Sequence, residues 1–272
     1  MGQPMIKVEG LTMGWDDVIL QRGATFTVDR GDIFAILGGS GCGKSTMLRY
    51  LIGLEEPLEG SIEVAGLGKP RLEVGRPPFG VMFQSGALFG SMTVGENVAL
   101  SLEQWTDLPQ EAIVAIARSK LRLVGLEAAE NKMPSELSGG MKKRAAIARA
   151  LALEPELIFL DEPSAGLDPV SAVELDELIL SLNRGLGLTV VIVTHELPSI
   201  FKIVSKCVML DKVSRSIIAR GDPKHLRDHS NDPRVHQFFN REPGQGEVPP
   251  PPSEVMSSAA LSSSVLSSGR AA

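Results

Sequence analysis

Residues 38–46 read GGSGCGKST, glycines and small hydroxyl residues around one lysine, directly after the apolar run Phe34-Ala35-Ile36-Leu37. The spacing Gly38-x4-Gly43-Lys44-Ser45 matches the phosphate-binding loop that follows a strand and opens a helix. The chemistry accounts for the composition. Backbone N–H groups can wrap a phosphate only where side chains are absent or small, and the start of the helix adds partial positive charge. Lys44 reaches the β and γ phosphates, and the Ser45 hydroxyl is a ligand for Mg²⁺. Gly38, Gly39, Ser40, Gly41, Cys42, Gly43, Lys44, Ser45 and Thr46 are therefore candidate nucleotide contacts, with Cys42 at a variable position and without a redox role.

Such a loop needs an acid at the end of a neighbouring strand to hold the metal. The stretch LIFLDEP supplies Asp161 for Mg²⁺ and Glu162 directly after it, placed to polarise an attacking water as general base. His195 ends the apolar strand LTVVIVTH, at the carboxyl edge where α/β folds hold their ligands. A second glycine-rich helix start, ELSGGMKKRAAIARALAL, has Ser138 suited to an N-cap and Gly139 and Gly140 exposing amides. Within one chain that helix start lies across a helical block from Lys44, so a second copy of the protein could bring it to the phosphate.

These groups need a scaffold, and the pattern supplies one. IKVEGL, ATFTV, DIFAIL, SIEVAG, FGVMF, LIFLD, LTVVIVTH, CVMLD and SIIAR read as strands. Helices are expected from Lys44 through MLRYLIGL, over PQEAIVAIARSKLRLVGL, over VSAVELDELILSLNRGLG with a glycine stop, and from Pro198. Apolar strands alternating with helices predict a mostly parallel sheet covered on both faces. Residues 87–153 carry no strand signal and read as an inserted helical subdomain. Residues 1–241 then form one domain, and 242–272, rich in Pro, Ser and Gly, read as a disordered tail.

Composition narrows the function classes. The 272 residues are 43% hydrophobic and 22% charged, with net charge −6, so there is no overall basic field for nucleic acid. Two cysteines, Cys42 and Cys207, offer no disulfide framework and fit a reducing compartment. The first residues lack a signal-peptide pattern, and no apolar run approaches the roughly 18–20 residues that span a bilayer. Work at a membrane would go through a partner.

Taken in order, GGSGCGKST, Gln84 in VMFQSG, LSGGM, LIFLDEP, SAGLDP and VTH resemble the ATPase subunit of ATP-binding cassette (ABC) transporters, over roughly residues 5–225. The resemblance implies an α/β P-loop NTPase (RecA-like) core with an N-terminal antiparallel β subdomain and an inserted α-helical subdomain. It implies a Mg²⁺-dependent ATPase working as a head-to-tail homodimer with two ATP molecules between the subunits. It implies that Trp15, unless it is a core tryptophan, stacks on adenine, and that Gln84 senses Mg²⁺ and links the site to the helical subdomain. Ser138, Gly139 and Gly140 would clamp the γ-phosphate of the opposite subunit, Asp168 would communicate across the dimer, and His195 would contact the γ-phosphate. Met141 departs from the glutamine that many members carry there.

That departure, with FQSGALFGSMTVGENVAL, the long run from MPSELSGG to GLDP, and DPRVHQFFN, is similar to the ATPase of bacterial Mce-type lipid transporters, the group that maintains outer-membrane lipid asymmetry. The resemblance implies a phospholipid or similar cargo, an integral permease partner, a periplasmic Mce-type lipid-binding protein beyond it, and a peripheral location on the cytoplasmic face of the inner membrane. Leu88, Phe89 and Met92 in the stretch Gly86–Met92 either dock that permease or fill the subdomain core. Phe238 and Phe239 pack either on the chain's own domain or on a neighbouring subunit. The rival readings are a polar-solute transporter, a soluble cassette ATPase without a membrane partner, and a small-molecule P-loop kinase, which would leave the LSGGM helix without purpose.

Overall fold

In the computed structural model, residues 3–15, 18–70 and 75–241 are described. The segment read above as a tail lies outside them. Strands β3 (Ile33–Gly38), β5 (Phe79–Met82), β6 (Leu157–Asp161), β7 (Thr189–Val193), β8 (Lys206–Asp211) and β9 (Ser216–Gly221) form one sheet in the order β5-β6-β7-β3-β8-β9. All pairs are parallel except β8–β9. Every residue of β3, β6 and β7 is buried, as expected for parallel strands covered on both faces. A second sheet, in the order β2-β1-β4, joins β1 (Pro4–Trp15), β2 (Val18–Asp29) and β4 (Glu59–Val64) antiparallel. IKVEGL and ATFTV prove to be parts of 12-residue strands, because cross-strand pairing carries the ladder past the segments that alternate cleanly.

Register sets the site. Ile36 lies opposite Val193, Asp161 opposite Val193, and Met82 opposite Leu160. The carboxyl ends of β3, β5, β6 and β7 therefore stand level at one edge, and the loops leaving them share that edge.

Helix α1 (Lys44–Leu51) leaves the phosphate loop and stops four residues after Met47, two residues before Gly53 at φ 77°. Helices α2 (Val94–Trp105), α3 (Gln110–Leu123) and α4 (Gly139–Ala150) fill the block between β5 and β6, with no strand among its described residues. Their apolar faces (Val98, Leu102, Ile113, Leu121, Ile147) pack with Met82, Ile158 and Leu160 of the sheet. Helix α5 (Pro169–Leu186) ends on Gly187 at φ 66°, the glycine stop expected from the sequence. The other sheet face packs with β1, β2, β4 and α1 in a second cluster that contains Leu48, Tyr50 and Phe159. Helices α6 (Leu197–Ile203), α7 (Pro223–His229) and α8 (Pro233–Asn240) follow. A third cluster seats Val235 and Phe239 of α8 on Leu37, Ile200 and Met209.

Candidate active site

The phosphate loop is built around two glycines in backbone conformations that other residues rarely adopt. At Gly38 (φ 142°) a Cβ would stand 2.4 Å from the Leu210 carbonyl oxygen and 2.6 Å from the Cys42 sulfur. At Gly43 (φ 98°), the N-cap of α1, it would meet Met13 at 2.8 Å. Gly43 has no side chain to cap the helix, so the first amides of α1 are left for another acceptor. Cys42 is buried beneath the loop, and burial pushes its thiol pKa up, which suits packing rather than redox work. The buried Gln21 amide donates to the carbonyls of Cys42 and Asp211, each at 3.0 Å, and ties the loop to β2 and β8. Lys44 Nζ donates to the carbonyls of Gly38 (2.9 Å) and Gly39 (3.0 Å).

Next to this loop stand the acids from β6. Ser45 Oγ donates to Asp161 Oδ1 at 3.1 Å. Burial holds the Asp161 carboxyl above its ordinary range, partly offset by the Ser45 hydrogen bond. A desolvated carboxylate beside a hydroxyl is a hard-oxygen pair that a small divalent cation would relieve. The residues therefore fit Mg²⁺. Glu162 is buried and adopts φ 48°. Its Oε1 lies 2.8 Å from His195 Nδ1, and its Oε2 is buried with no hydrogen-bond partner among the described residues. A carboxylate held through one oxygen, with the other buried and unpartnered, keeps a lone pair free to take a proton.

A cleft of about 670 Å³ runs over these groups. It is lined by Gly38–Gly41, Gly43–Thr46, Gln84, Glu162 and His195, and at its far side by Trp15, Leu20 and Phe238. Trp15 is 44% exposed and therefore is not a core tryptophan. The Tyr50 hydroxyl, bonded to both the amide and the carbonyl of Gly14, fixes the strand end that presents Trp15. A second cleft, of about 510 Å³ between the end of α1 and β4, holds none of the candidate residues.

Ser138, Gly139, Gly140 and Asp168 lie outside the cleft lining. Ser138 caps α4, accepting from the Met141 amide at 3.3 Å. Met141 takes part through its backbone, and its side chain packs on the helical core, so the cap does not need a glutamine. Asp168 caps α5, accepting from the amides of Val170 and Ser171 and from the Ser171 hydroxyl. The Ser171 hydroxyl and these amides hold the Asp168 carboxyl below its usual range. A Cβ at Gly140 would lie 3.5 Å from that of Ser171, so the starts of α4 and α5 adjoin.

Sequence reasoning missed several residues that position the site. Lys143 is buried on α4, and its ammonium donates to the backbone carbonyls of Gln84 and Glu162. A lysine at helical spacing from Ile147 and Ala150, both buried, was the available signal. Arg149 donates to the carbonyls of Gly86 and Ala87. The buried Asn97 bonds Phe89 through its N–H and carbonyl, and also the carbonyls of Met92 and Thr93. The stretch Gly86–Met92 is thus pinned from both sides. Leu88 packs on the helical core, as one of the two readings has it, while Phe89 is 51% exposed. Phe239 is buried against Phe201, at 5.6 Å between centroids, so it packs on the chain's own domain. Phe238 turns to the cleft.

Comparison with known proteins gives a family. The family model described as "ABC transporter" matches residues 21–165. The intermembrane phospholipid transport system ATP-binding protein MlaF of Escherichia coli strain K12 is 43% identical over 221 residues, 79% of this chain and 81% of that protein. The probable ribonucleotide transport ATP-binding protein mkl of Mycobacterium tuberculosis strain H37Rv is 40% identical over 248 residues, 88% of this chain and 68% of that one. The dimeric cassette MJ0796 in a post-hydrolysis state, bound to ADP and Pi, superposes with a TM-score of 0.70 at 29% identity, covering 80% of this chain and 98% of that chain.

Proposed function

This chain belongs to the ABC transporter family as an ATP-binding subunit, and from that premise we propose that it hydrolyses ATP to drive phospholipid transport between the inner and outer membranes through a Mce-type permease complex. The observation that carries the hydrolytic part is Glu162, which lines the cleft that holds Lys44 and Ser45, is bonded to His195 through Oε1 and keeps Oε2 buried and unpartnered. The cargo rests on the likeness to MlaF.

Amides of the phosphate loop and the start of α1 receive the phosphates. Lys44 exchanges its two carbonyl partners for phosphate oxygens and neutralises charge as it builds on the γ-phosphate. Ser45, Asp161 and Gln84 would hold Mg²⁺, which would supply positive charge to offset that of the phosphates. Glu162 Oε2 accepts a proton from water and so directs it in line onto the γ-phosphate. His195, with Nδ1 engaged by Glu162 and Nε2 3.7 Å from Glu196 Oε1, would turn Nε2 from that carboxylate to the phosphate. Trp15 stacks on the base.

The second copy supplies what this cleft lacks. Ser138, Gly139 and Gly140 of one subunit close over the γ-phosphate held by the other, in a head-to-tail homodimer with Asp168 at the junction. The stretch Gly86–Met92, with Phe89 presented outward and its backbone pinned, receives the permease. The periplasmic lipid-binding protein is reached through that permease. No helix among the described residues is long and apolar enough to cross a membrane, and the subunit sits peripherally on the cytoplasmic face of the inner membrane through its partner.

A polar solute is the second reading of the cargo, favoured by the 40% identity to mkl, whose name specifies ribonucleotide transport. Purification of the tagged chain from native membranes in mild detergent, with mass spectrometry of associated proteins and lipids, separates the readings. A Mce-type permease with bound phospholipid is the expected outcome. A polar-solute permease would leave the ATPase and discard the lipid. Recovery only in the soluble fraction, with ribosomes or DNA-binding proteins, would overturn transport.

A further inference from the structure

We infer that Lys143 is a positioning residue for hydrolysis, the joint through which the stretch leaving β5 and the start of α4 set the orientation of Glu162. The inference rests on the hydrolytic role proposed above for Glu162.

Glu162 is the first residue past β6 and takes a left-handed backbone conformation, φ 48°, that a side chain other than glycine rarely adopts. Such a residue keeps its conformation only where the surroundings over-determine it. On its amino side the Glu162 amide donates to the Val193 carbonyl at 2.8 Å, which ties it to β7. Its carbonyl accepts from the Ala165 amide at 3.2 Å and from Lys143 Nζ at 3.1 Å. The same ammonium donates to the Gln84 carbonyl. One buried cation therefore binds two carbonyls, one in the loop after β5 and one at the catalytic acid, and it is carried by the helix that Ser138 caps.

The charge is not spent on an ion pair. Among the described residues no carboxylate lies within 4.0 Å of Lys143 Nζ. Desolvation lowers the Lys143 pKa while the nearby Asp161 and Glu162 charges oppose that shift. Burying an ammonium for a merely structural purpose is costly when an apolar residue could fill the space. Two oriented carbonyl bonds do what an apolar residue could not, because they fix the direction of the Glu162 peptide and hence of its carboxylate. Arg149, one and a half helical turns further along α4, holds Gly86 and Ala87 in the same way, so a displacement of residues 84–92 is carried to α4 along its length.

The experiment is a double-mutant cycle on the full chain, reading kcat and the KM for ATP. Lys143→Met keeps the length and loses the donors; Lys143→Arg keeps the charge and donors. The expected result is a fall in kcat of about 10–100-fold for Lys143→Met, the scale of a misplaced catalytic group. KM stays unchanged, and Lys143→Arg restores most of the loss. In a Glu162→Gln background, Lys143→Met costs nothing further, since the group it orients is already disabled. Full additivity of the two losses would overturn the inference, as would wild-type kcat in Lys143→Met. Parallel loss of kcat, nucleotide binding and melting temperature, without rescue by Lys143→Arg, would make Lys143 a structural residue only. Wild-type chain that fails to hydrolyse ATP in the same preparation would instead remove the reading on which the inference rests.

Discussion

Two helices in this chain start from the same local materials, a glycine pair and a small hydroxyl residue, and stand in different surroundings. At α1 the N-cap is Gly43, with no side chain for the orphan amides, and the acids of β6 and the histidine after β7 stand beside it. At α4 the N-cap is Ser138, which already satisfies one amide, and the neighbours are Leu167, Asp168 and Ser171. The first helix start meets a lysine, a hydroxyl, two carboxylates and an imidazole within one chain. The second has amides but no chemistry of its own. A glycine-rich helix start offers amides to an anion; only the one at the carboxyl edge of the parallel sheet has a lysine, carboxylates and a histidine beside it.

The largest effect tests the complete site. Glu162→Gln is expected to bind ATP normally while kcat drops about 10²- to 10⁴-fold, the usual worth of a general base. Near-normal turnover would remove Glu162 from that role and leave the first helix start no more catalytic than the second.

Mixing tests the incomplete one. Gly140→Asp leaves the fold intact, since the added Cβ meets Ser171 at an ordinary 3.5 Å, and it is expected to abolish turnover. Lys44→Ala should do the same. An equimolar mixture of the two recovers about a quarter of wild-type activity, because half the dimers are mixed and each holds one intact composite site. Full activity in Gly140→Asp alone would show that each chain's cleft suffices, and the contrast drawn between the two helix starts would fail.

A smaller effect sharpens the cleft's far side. Stacking a base on an aromatic ring is worth about 1–3 kcal/mol. Trp15→Ala is therefore expected to raise the KM for ATP about tenfold, with kcat held and Trp15→Phe close to wild type. An unchanged KM would move the base toward Phe238, the other aromatic residue of the lining.

The smallest effect concerns Asp161 in Mg²⁺-free, nucleotide-free buffer. Burial raises its folded-state pKa above the ordinary 3.8, so the folded chain holds that proton more tightly than the unfolded one. Its contribution to stability is most favourable below 3.8 and is lost as pH rises through the raised value. Asp161→Asn does not titrate, so urea unfolding across that window should show the wild type losing stability relative to the variant as pH rises. Parallel pH profiles would mean that Ser45 and the nearby cations already offset the burial.

Much of the fold could be read from the chain. The largely apolar strands β3, β6 and β7, the α5 glycine stop at Gly187 and the Ser138 cap are local signals, set by side-chain periodicity and by backbone conformations that few residues tolerate. Phe238 and Phe239 were legible as apolar residues but not in their different burial. Adjacent positions on a helix point about 100° apart, and only the packing of α8 decides that Phe239 is buried in the core while Phe238, packed at its edge, also lines the cleft. Asp168 was named only through the family resemblance, and its bonds to the α5 amides appear only once that helix is in place.

What the sequence determined by itself is the set of groups available: a glycine-rich loop with Lys44 and Ser45, the acids Asp161 and Glu162 at a strand end, His195 at another, and a second glycine-rich helix start at Ser138, each recognisable from residue types at short spacing. What the tertiary structure decided is which of them meet. Parallel register brings Lys44, Gln84, Glu162 and His195 to one edge from strands far apart in the chain. Burial of Lys143 gives two backbone carbonyls a shared cation. Carbonyl groups are the same in every residue, so no residue type could announce that contact. It exists only because β5, β6 and α4 pack where they do.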